Sequence, residues 1–356
     1  MILIKKIFFS IIILFKIIIS FLIYPFFSNK YKNTILIGTR NGEPGYDNGE
    51  ILFEYLKESG EKNYFLIYKN ISSKIDGILK KNSIHSILRI ISAKYIYITH
   101  SESDILSYLW RIFKYKKYIF IQHGVIGIKC LPEYQKKKYF KYISSNLYET
   151  EVFINHFKIE KNKIIQSGLA RFDKYSVNNQ DICEINSCLI MFTWRKKTTY
   201  HNNINYNKIV SMLRKNNPNI KIYITNHNMS KNLPNEIEHI TYVKNTELPH
   251  IIKNTDLLIT DYSSISWDYL YQNKCIWFYH YDHNRYMADE GTYCNFASFF
   301  GYQTHENNLT DIDNIIDEII KFNNINNTIF LKKNFFYLHN EKKHMKTLLQ
   351  QVEKYE

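Results

Sequence analysis

The sequence has no C-x-x-C pair, no G-x-G-x-x-G, no A-x-A-like site after its apolar start, and no internal repeat with a period of about 20–50 residues. Its five cysteines, Cys130, Cys183, Cys188, Cys275 and Cys294, are odd in number and have no paired histidines nearby. That pattern argues for reduced thiols and against a structural zinc. No metal-ligand spacing stands elsewhere: Asp282 and His283 are adjacent, as surface pairs usually are. The first glycine-rich loop, GTRNGEPGYDNG (38–49), departs from the dinucleotide fingerprint, so no dinucleotide cofactor is expected in the first half. The missing small-residue site argues against removal of the N-terminus as a signal peptide.

What is present is a chain of 356 residues, 45% hydrophobic and 16% aromatic, enough for two domains with real cores. Lys and Arg outnumber Asp and Glu, 47 to 33, which favours an anionic partner: nucleic acid, anionic lipid or a phosphorylated substrate. Abundant Ile, Lys, Asn and Tyr raises the lysine count everywhere, so charge alone does not choose. No nucleic-acid motif accompanies the charge, and no nucleic-acid partner is expected.

Residues 7–27, IFFSIIILFKIIISFLIYPFF, are long and apolar enough to cross a bilayer, apart from Lys16. On a helical wheel Lys5, Lys6, Lys16 and Ser20 fall within about 100°, which suits a helix in the membrane interface with its lysines toward anionic headgroups. Residues 1–28 are therefore expected to be a membrane anchor, interfacial or a tilted single span, at the cytoplasmic face of the cell membrane.

From residue 33 onward short apolar β-rich runs alternate with helical patterns. TILIG (34–38), YFLIY (64–68), AKYIYITHS, KKYIFIQHG and NKIIQSG read as buried parallel strands. The pattern lapses over 174–187, KYSVNNQDICEINS, and resumes with CLIMFTW, IKIYITNH, HITYV, DLLITD and KCIWFYH, before a basic amphipathic helix over 338–355. The expected fold is α/β, two Rossmann-like domains facing across a cleft: residues 29–178 and 179–356. Ligands of such sheets sit at the carboxyl ends of the strands.

Four constellations fall there. In LITDYSSISWDY (258–269), Ser263 and Ser264 fall where a strand becomes a helix, an anion site or a plain N-cap. In FIQHGVIG (120–127), His123 precedes Gly124; a histidine there is a general base or a capping group. In YITNHNMS (223–230), His227 closes a second strand. In SGLARFDKY (167–175), Arg171 clamps a phosphate or pairs with Asp173.

These motifs in this order resemble the CDP-glycerol glycerophosphotransferase family of teichoic-acid-like polymer synthesis. Its HG motif is matched by His123-Gly124, its G-x-P-R-x-D motif by Gly168 to Asp173 with alanine for proline, and its HP motif by His227-Asn228. The most specific match is Leu258 to Ser264, with Asp268-Tyr269 behind it and FYHYDHNRY (278–286) beyond.

The resemblance implies a GT-B-type fold, with acceptor on the N-terminal half and CDP-glycerol, CDP-ribitol or a related CDP-alditol on the C-terminal half. A hydroxyl of a lipid-linked or polymeric acceptor attacks the β-phosphorus and CMP leaves. The resemblance makes His123 the base and places His227, Arg171, Thr260, Ser263 and Ser264 on the pyrophosphate. Gly124, Asp173, Asp261 and Asp268 come to the substrate site by the same matches. Where the family has R-G-x-Y this chain has Glu290-Gly291-Thr292-Tyr293, which leaves Arg285 as the substitute cation or implies a different donor. Two alternatives stand beside this reading. One is a nucleotide-sugar glycosyltransferase on the same fold with Glu290 as donor-ribose acid; the other is a non-catalytic membrane-surface protein that binds a polyanion.

Overall fold

The computed structural model describes residues 2–45, 47–71, 75–178, 180–195, 204–225, 237, 239–244, 246–295, 301–305, 314–332, 336–337 and 344–354. A long helix, α1 (Ile2–Tyr31), leads into two all-parallel sheets.

The first sheet carries β1 (Thr34–Gly38), β2 (Tyr64–Tyr68), β3 (Ile78–Lys80), β4 (Ala93–Ile98), β5 (Tyr118–Phe120), β6 (Lys141–Ser144) and β7 (Ile164–Gln166), in the order β3-β2-β1-β4-β5-β6-β7. Helices α2 (Asn48–Glu58), α3 (Ile84–Ser92) and α4 (Leu147–Asn155) connect them. The second sheet carries β8 (Ser187–Ile190), β9 (Lys221–Ile224), β10 (Thr241–Tyr242), β11 (Leu257–Thr260), β12 (Cys275–His280) and β13 (Tyr302–His305), in the order β10-β9-β8-β11-β12-β13. Its helices are α5 (Tyr206–Asn216), α6 (Leu248–Asn254), α7 (Ser266–Tyr271), α8 (His283–Asp289) and α9 (Ile315–Lys332); α10 (His344–Glu353) follows.

Parallel strands are covered on both faces, so they need unbroken apolar runs. Leu36, Ile37, Leu258 and Ile259 are fully buried, and each such side chain contributes about 1.5–3 kcal/mol on leaving water. One apolar cluster joins Ile37, Leu52 and Ile121 of the first half to Leu189, Leu258 and Trp267 of the second. The strand order reverses between β1 and β4 in the first sheet and between β8 and β11 in the second. In sheets of this kind ligands bind outside the strand ends at such a reversal, because consecutive connections leave on opposite faces.

Three strands escaped the sequence pattern. β3 and β6 carry lysines, and β13 carries glutamine and histidine, so none shows an unbroken apolar run.

The polar stripe of α1 faces outward only in part. Lys16 Nζ donates to the Asn82 carbonyl at 3.2 Å, and Ser20, Ile13 and Ile17 are buried against the domain beside α3. A charge in the middle of an apolar helix is satisfied by a carbonyl at hand rather than by distant headgroups. Lys5 and Lys6 are exposed, and the opposite face presents Phe8, Phe15, Leu22 and Phe26 at 65–84% exposure.

Candidate active site

The chain turns sharply after β5. Gln122 has a φ of +58° and is pinned on both sides: its amide donates to the Ile143 carbonyl at 2.5 Å, and its own carbonyl accepts from Asn48 Nδ2 at 2.8 Å. That turn projects His123 outward, with half its side chain exposed. Behind the imidazole stands Asp47, whose Oδ2 lies 3.9 Å from His123 Nδ1. Asp47 is the N-cap of α2, joined to Glu50 in a capping box, so a helix start fixes the carboxylate in place. Burial raises the Asp47 carboxyl to about 7, against the pull of Arg171. His100 stacks on His123 with ring centroids 4.5 Å apart, and burial lowers its pKa, which favours the neutral ring.

Arg171 gathers the site. Its Nε and Nη2 donate to the two oxygens of Asp268 at 2.5 and 2.7 Å, and its Nη1 donates to the His123 carbonyl at 2.6 Å. Burial works against the charge and the Asp268 carboxylate overcomes it, so Arg171 is held above its ordinary pKa. The local pairing with Asp173 that the sequence left open does not form among the described contacts. Asp173 instead accepts from the backbone N–H groups of His344 and Met345 at 2.9 and 3.2 Å, capping α10.

Gly124 lies directly against Ser264: a Cβ on it would stand 2.8 Å from Ser264 Oγ. A side chain there would force the Ser264 hydroxyl to turn away, which gives this glycine a steric reason. The serines themselves are set differently from expectation. α7 begins at Ser266, so Ser263 and Ser264 form the turn before the helix, and Ser263 Oγ accepts from Ile265 N at 3.5 Å.

Thr260 and Asp261 are turned inward. Thr260 Oγ1 donates to the Met191 carbonyl at 2.6 Å. Asp261, fully buried, accepts from Thr193 N, Tyr262 N and Arg195 Nη2 at 2.6–2.8 Å. Arg195 continues to Asp282 through Nε at 2.9 Å and Nη2 at 2.8 Å. This buried Asp261–Arg195–Asp282 chain ties the ends of β8, β11 and β12 together. Arg285 is exposed on α8 and does not line the cavity described next; neither does Glu290, which caps the end of the same helix. His227 lies outside the described residues.

The two sets of strand ends enclose a cavity of about 550 Å³. Arg40, Asp47, His123, Lys129 and Arg171 line one side; Thr193, His250, Lys253, Ser263, Ser264 and Asp268 line the other. A cavity of this size accepts a small ligand, and its charged lining is dominated by cations beside two imidazoles, His123 and His250. It can hold an anion and take a proton from a hydroxyl placed against His123. Sequence reasoning missed Asp47, His100, Arg195 and Asp282; the D-N-G-E run that opens α2 was the available signal for Asp47.

Residues 21–352 match the family model described as CDP-Glycerol:Poly(glycerophosphate) glycerophosphotransferase. The chain is 25% identical over 283 residues to the minor teichoic acid biosynthesis protein GgaB of Bacillus subtilis, covering 66% of this chain and 30% of that much longer protein. It is 24% identical over 336 residues to a teichoic acid glycerol-phosphate transferase of Staphylococcus aureus, covering 81% of this chain and 85% of that one. Among solved structures, the wall teichoic acid polymerase TagF superposes with a TM-score of 0.68 at 17% identity, over 91% of this chain and 90% of that one. A putative UDP-N-acetylglucosamine 2-epimerase of Listeria monocytogenes superposes with 0.56 at 10%, over 91% and 96%. Both likenesses speak to the α/β fold alone. The family match spans nearly the whole chain, and the chain belongs to the CDP-glycerol:poly(glycerophosphate) glycerophosphotransferase family.

Proposed function

We propose that this protein transfers glycerol phosphate, or a related polyol phosphate, from CDP-glycerol or its ribitol counterpart to a hydroxyl of a lipid-linked or polymeric acceptor. The carrying observation is the pairing of an outward His123 with buried Asp47 at the wall of a cation-lined cavity. The acceptor oxygen attacks the β-phosphorus, forming one P–O bond as the bond to CMP breaks. His123 takes the hydroxyl proton, and Asp47 stabilises the imidazolium that results. Arg40, Lys129, Lys253 and the Ser263–Ser264 turn neutralise charge on the pyrophosphate, work done by position and electrostatics. Arg171 and Asp268 hold His123 and the serine turn in one frame. His227 is assigned to the same phosphate.

In this reading residues 29–178 form the acceptor half and 179–356 the donor half of a GT-B arrangement, with the site in the cleft between them. Residues 1–28 attach the protein to the cytoplasmic face of the membrane. A helix docked along its length on a folded domain lies beside that domain, which favours an interfacial attachment through the Phe8, Phe15 and Leu22 face over a span.

The test is CMP release by the purified protein offered CDP-glycerol and CDP-ribitol in parallel with a polyol-phosphate acceptor. Acceptor-dependent CMP from one donor, lost in His123→Ala, is expected and names the alditol. CDP release from a sugar nucleotide with no CMP from either donor overturns the reading.

A further inference from the structure

A second cavity, of about 720 Å³, lies where α1 meets the loops after β1, β2, β3 and β4. Its walls are of two kinds. Phe9 of α1, Tyr108 and Trp110 form an aromatic wall, while Lys69, Lys80, Lys81 and Arg111 form a basic one. No acidic side chain is among its described lining residues. Glu43 pairs with Lys69 at 3.2 Å, and buried Asp104 is taken up by the backbone N–H groups of Asn41, Thr99 and His100, so the net charge of the cavity is positive. We propose that this cavity binds the phosphate headgroup of a membrane lipid, the lipid's chains running along the exposed apolar face of α1.

Three further observations carry this. Lys81 is 5% exposed, and its ammonium donates to the Asn41 carbonyl at 2.9 Å and to Asn41 Oδ1 at 2.6 Å. An ammonium buried at the bottom of a cavity is costly, and an anion bound beside it offsets that cost. Tyr108 has a φ of +56°, a conformation that strains a bulky residue, and it is nearly half exposed with its ring edge-on to Phe9 at 6.0 Å. The strain holds an aromatic ring at the seam between the apolar helix and the basic wall, where amphipathic rings favour a lipid interface. Lastly, the α1 register is fixed by this cavity. Lys16 bonds the carbonyl of Asn82, and the Asn82 side chain exchanges hydrogen bonds with Ser107 at 2.9 and 3.1 Å. Phe9 thus stands at the pocket with exposed Lys5 and Lys6 one turn before it, and the exposed Phe8 and Phe15 face lies around the helix from the basic wall.

The position gives the site a purpose, which rests on the transferase reading above. Arg40 lines the first cavity and its neighbour Asn41 lines the second, so a single turn separates the two. A lipid phosphate held at Lys81 places whatever is attached to it on the way to His123.

The test is flotation of the full chain with phosphatidylcholine vesicles, alone or carrying either phosphatidic acid or phosphatidylglycerol at matched surface charge. The expected result is preference for the exposed monoester of phosphatidic acid. Lys80→Gln with Arg111→Gln should lower that preference about tenfold, as lost charge-assisted hydrogen bonds do, and leave binding to plain phosphatidylcholine intact. Equal binding to both anionic vesicles, or an unchanged preference in the double variant, overturns the site. Inorganic phosphate that binds the vesicle-free protein at this pocket but leaves flotation unchanged overturns the lipid assignment. CMP release onto a water-soluble acceptor should survive the double variant. Absence of CMP release in the parent with every donor refutes the transferase reading and leaves the flotation result to stand by itself.

Discussion

Asp47 carries two duties that pull against each other: it caps α2, which favours the ion, and it is buried, which favours the acid. Burial prevails and the carboxyl titrates at about 7. CMP release should therefore fall as the pH drops through about 7, because a protonated Asp47 no longer supports the imidazolium of His123; a pH–rate profile checks this. Asparagine caps a helix equally well. Asp47→Asn should cost on the order of 10²-fold in kcat, the scale of a lost acid–base assist. Its effect on stability is opposite. A folded-state pKa raised above the ordinary aspartate value contributes stability that is full below that value and lost as pH rises through about 7. The asparagine variant escapes this loss, so its Tm at about pH 8 should be no lower than the parent's. Arg171→Ala behaves otherwise, stranding buried Asp268 at a cost of about 3–5 kcal/mol, read as a fall in the denaturant midpoint. Sequence order brought His123, Gly124, Arg171, Ser263, Ser264 and Asp268 to one place because each sits in a short motif. Arg195 was illegible for a different reason: it takes its meaning from partners far along the chain, which no local pattern encodes, and the D-N-G-E run that marks Asp47 as a cap does not encode its place beside His123.

At the scale of elements, long apolar runs such as those of β1 and β11 were readable, since burial on both faces is what leaves the trace, whereas β3, β6 and β13, short or broken by polar residues, were not. Helix starts were less readable. The DYSS run looks like a cap, yet α7 waits until Ser266 because Ser263 and Ser264 are spent on the turn that meets Gly124. α10 shows the converse, a helix start capped from a distance by Asp173. Its first residue, His344, is buried, with Nδ1 at 2.7 Å from the Ser167 carbonyl and Nε2 at 2.9 Å from the Tyr271 hydroxyl. Asp173→Ala should cost about 0.5–2 kcal/mol, the usual worth of a cap, and proteolysis should show α10 released first. Donor affinity should be unchanged, because Asp173 does not line the cavity.

Across the whole molecule, the two parallel sheets followed from the alternation of strand and helix, whereas their strand order and the posture of α1 did not. A helical wheel ranks faces by polarity and cannot tell whether a polar stripe meets water, headgroups or its own domain. Lys16 and Ser20 meet the domain, and the apolar face is left outside. Phe8→Ser, Phe15→Ser and Leu22→Ser together should shift the protein from the membrane pellet to the supernatant, each losing about 1.5–3 kcal/mol of lipid burial, with Tm unchanged since none is packed inside. Retention in the pellet would refute the interfacial attachment. The dependence of α1 on α3 has a consequence in time. On the ribosome, α1 is complete while the residues that bury Ile13 and Ile17, around 84–92, are still to be made. During that interval the helix is apolar on all but its narrow lysine stripe and Lys16 has no Asn82 carbonyl to reach, so a bilayer interface is a better solvent for it than water. On the proposed membrane attachment, the nascent chain meets lipid before it meets its own domain, and the finished fold then has only to pull one face of the helix back.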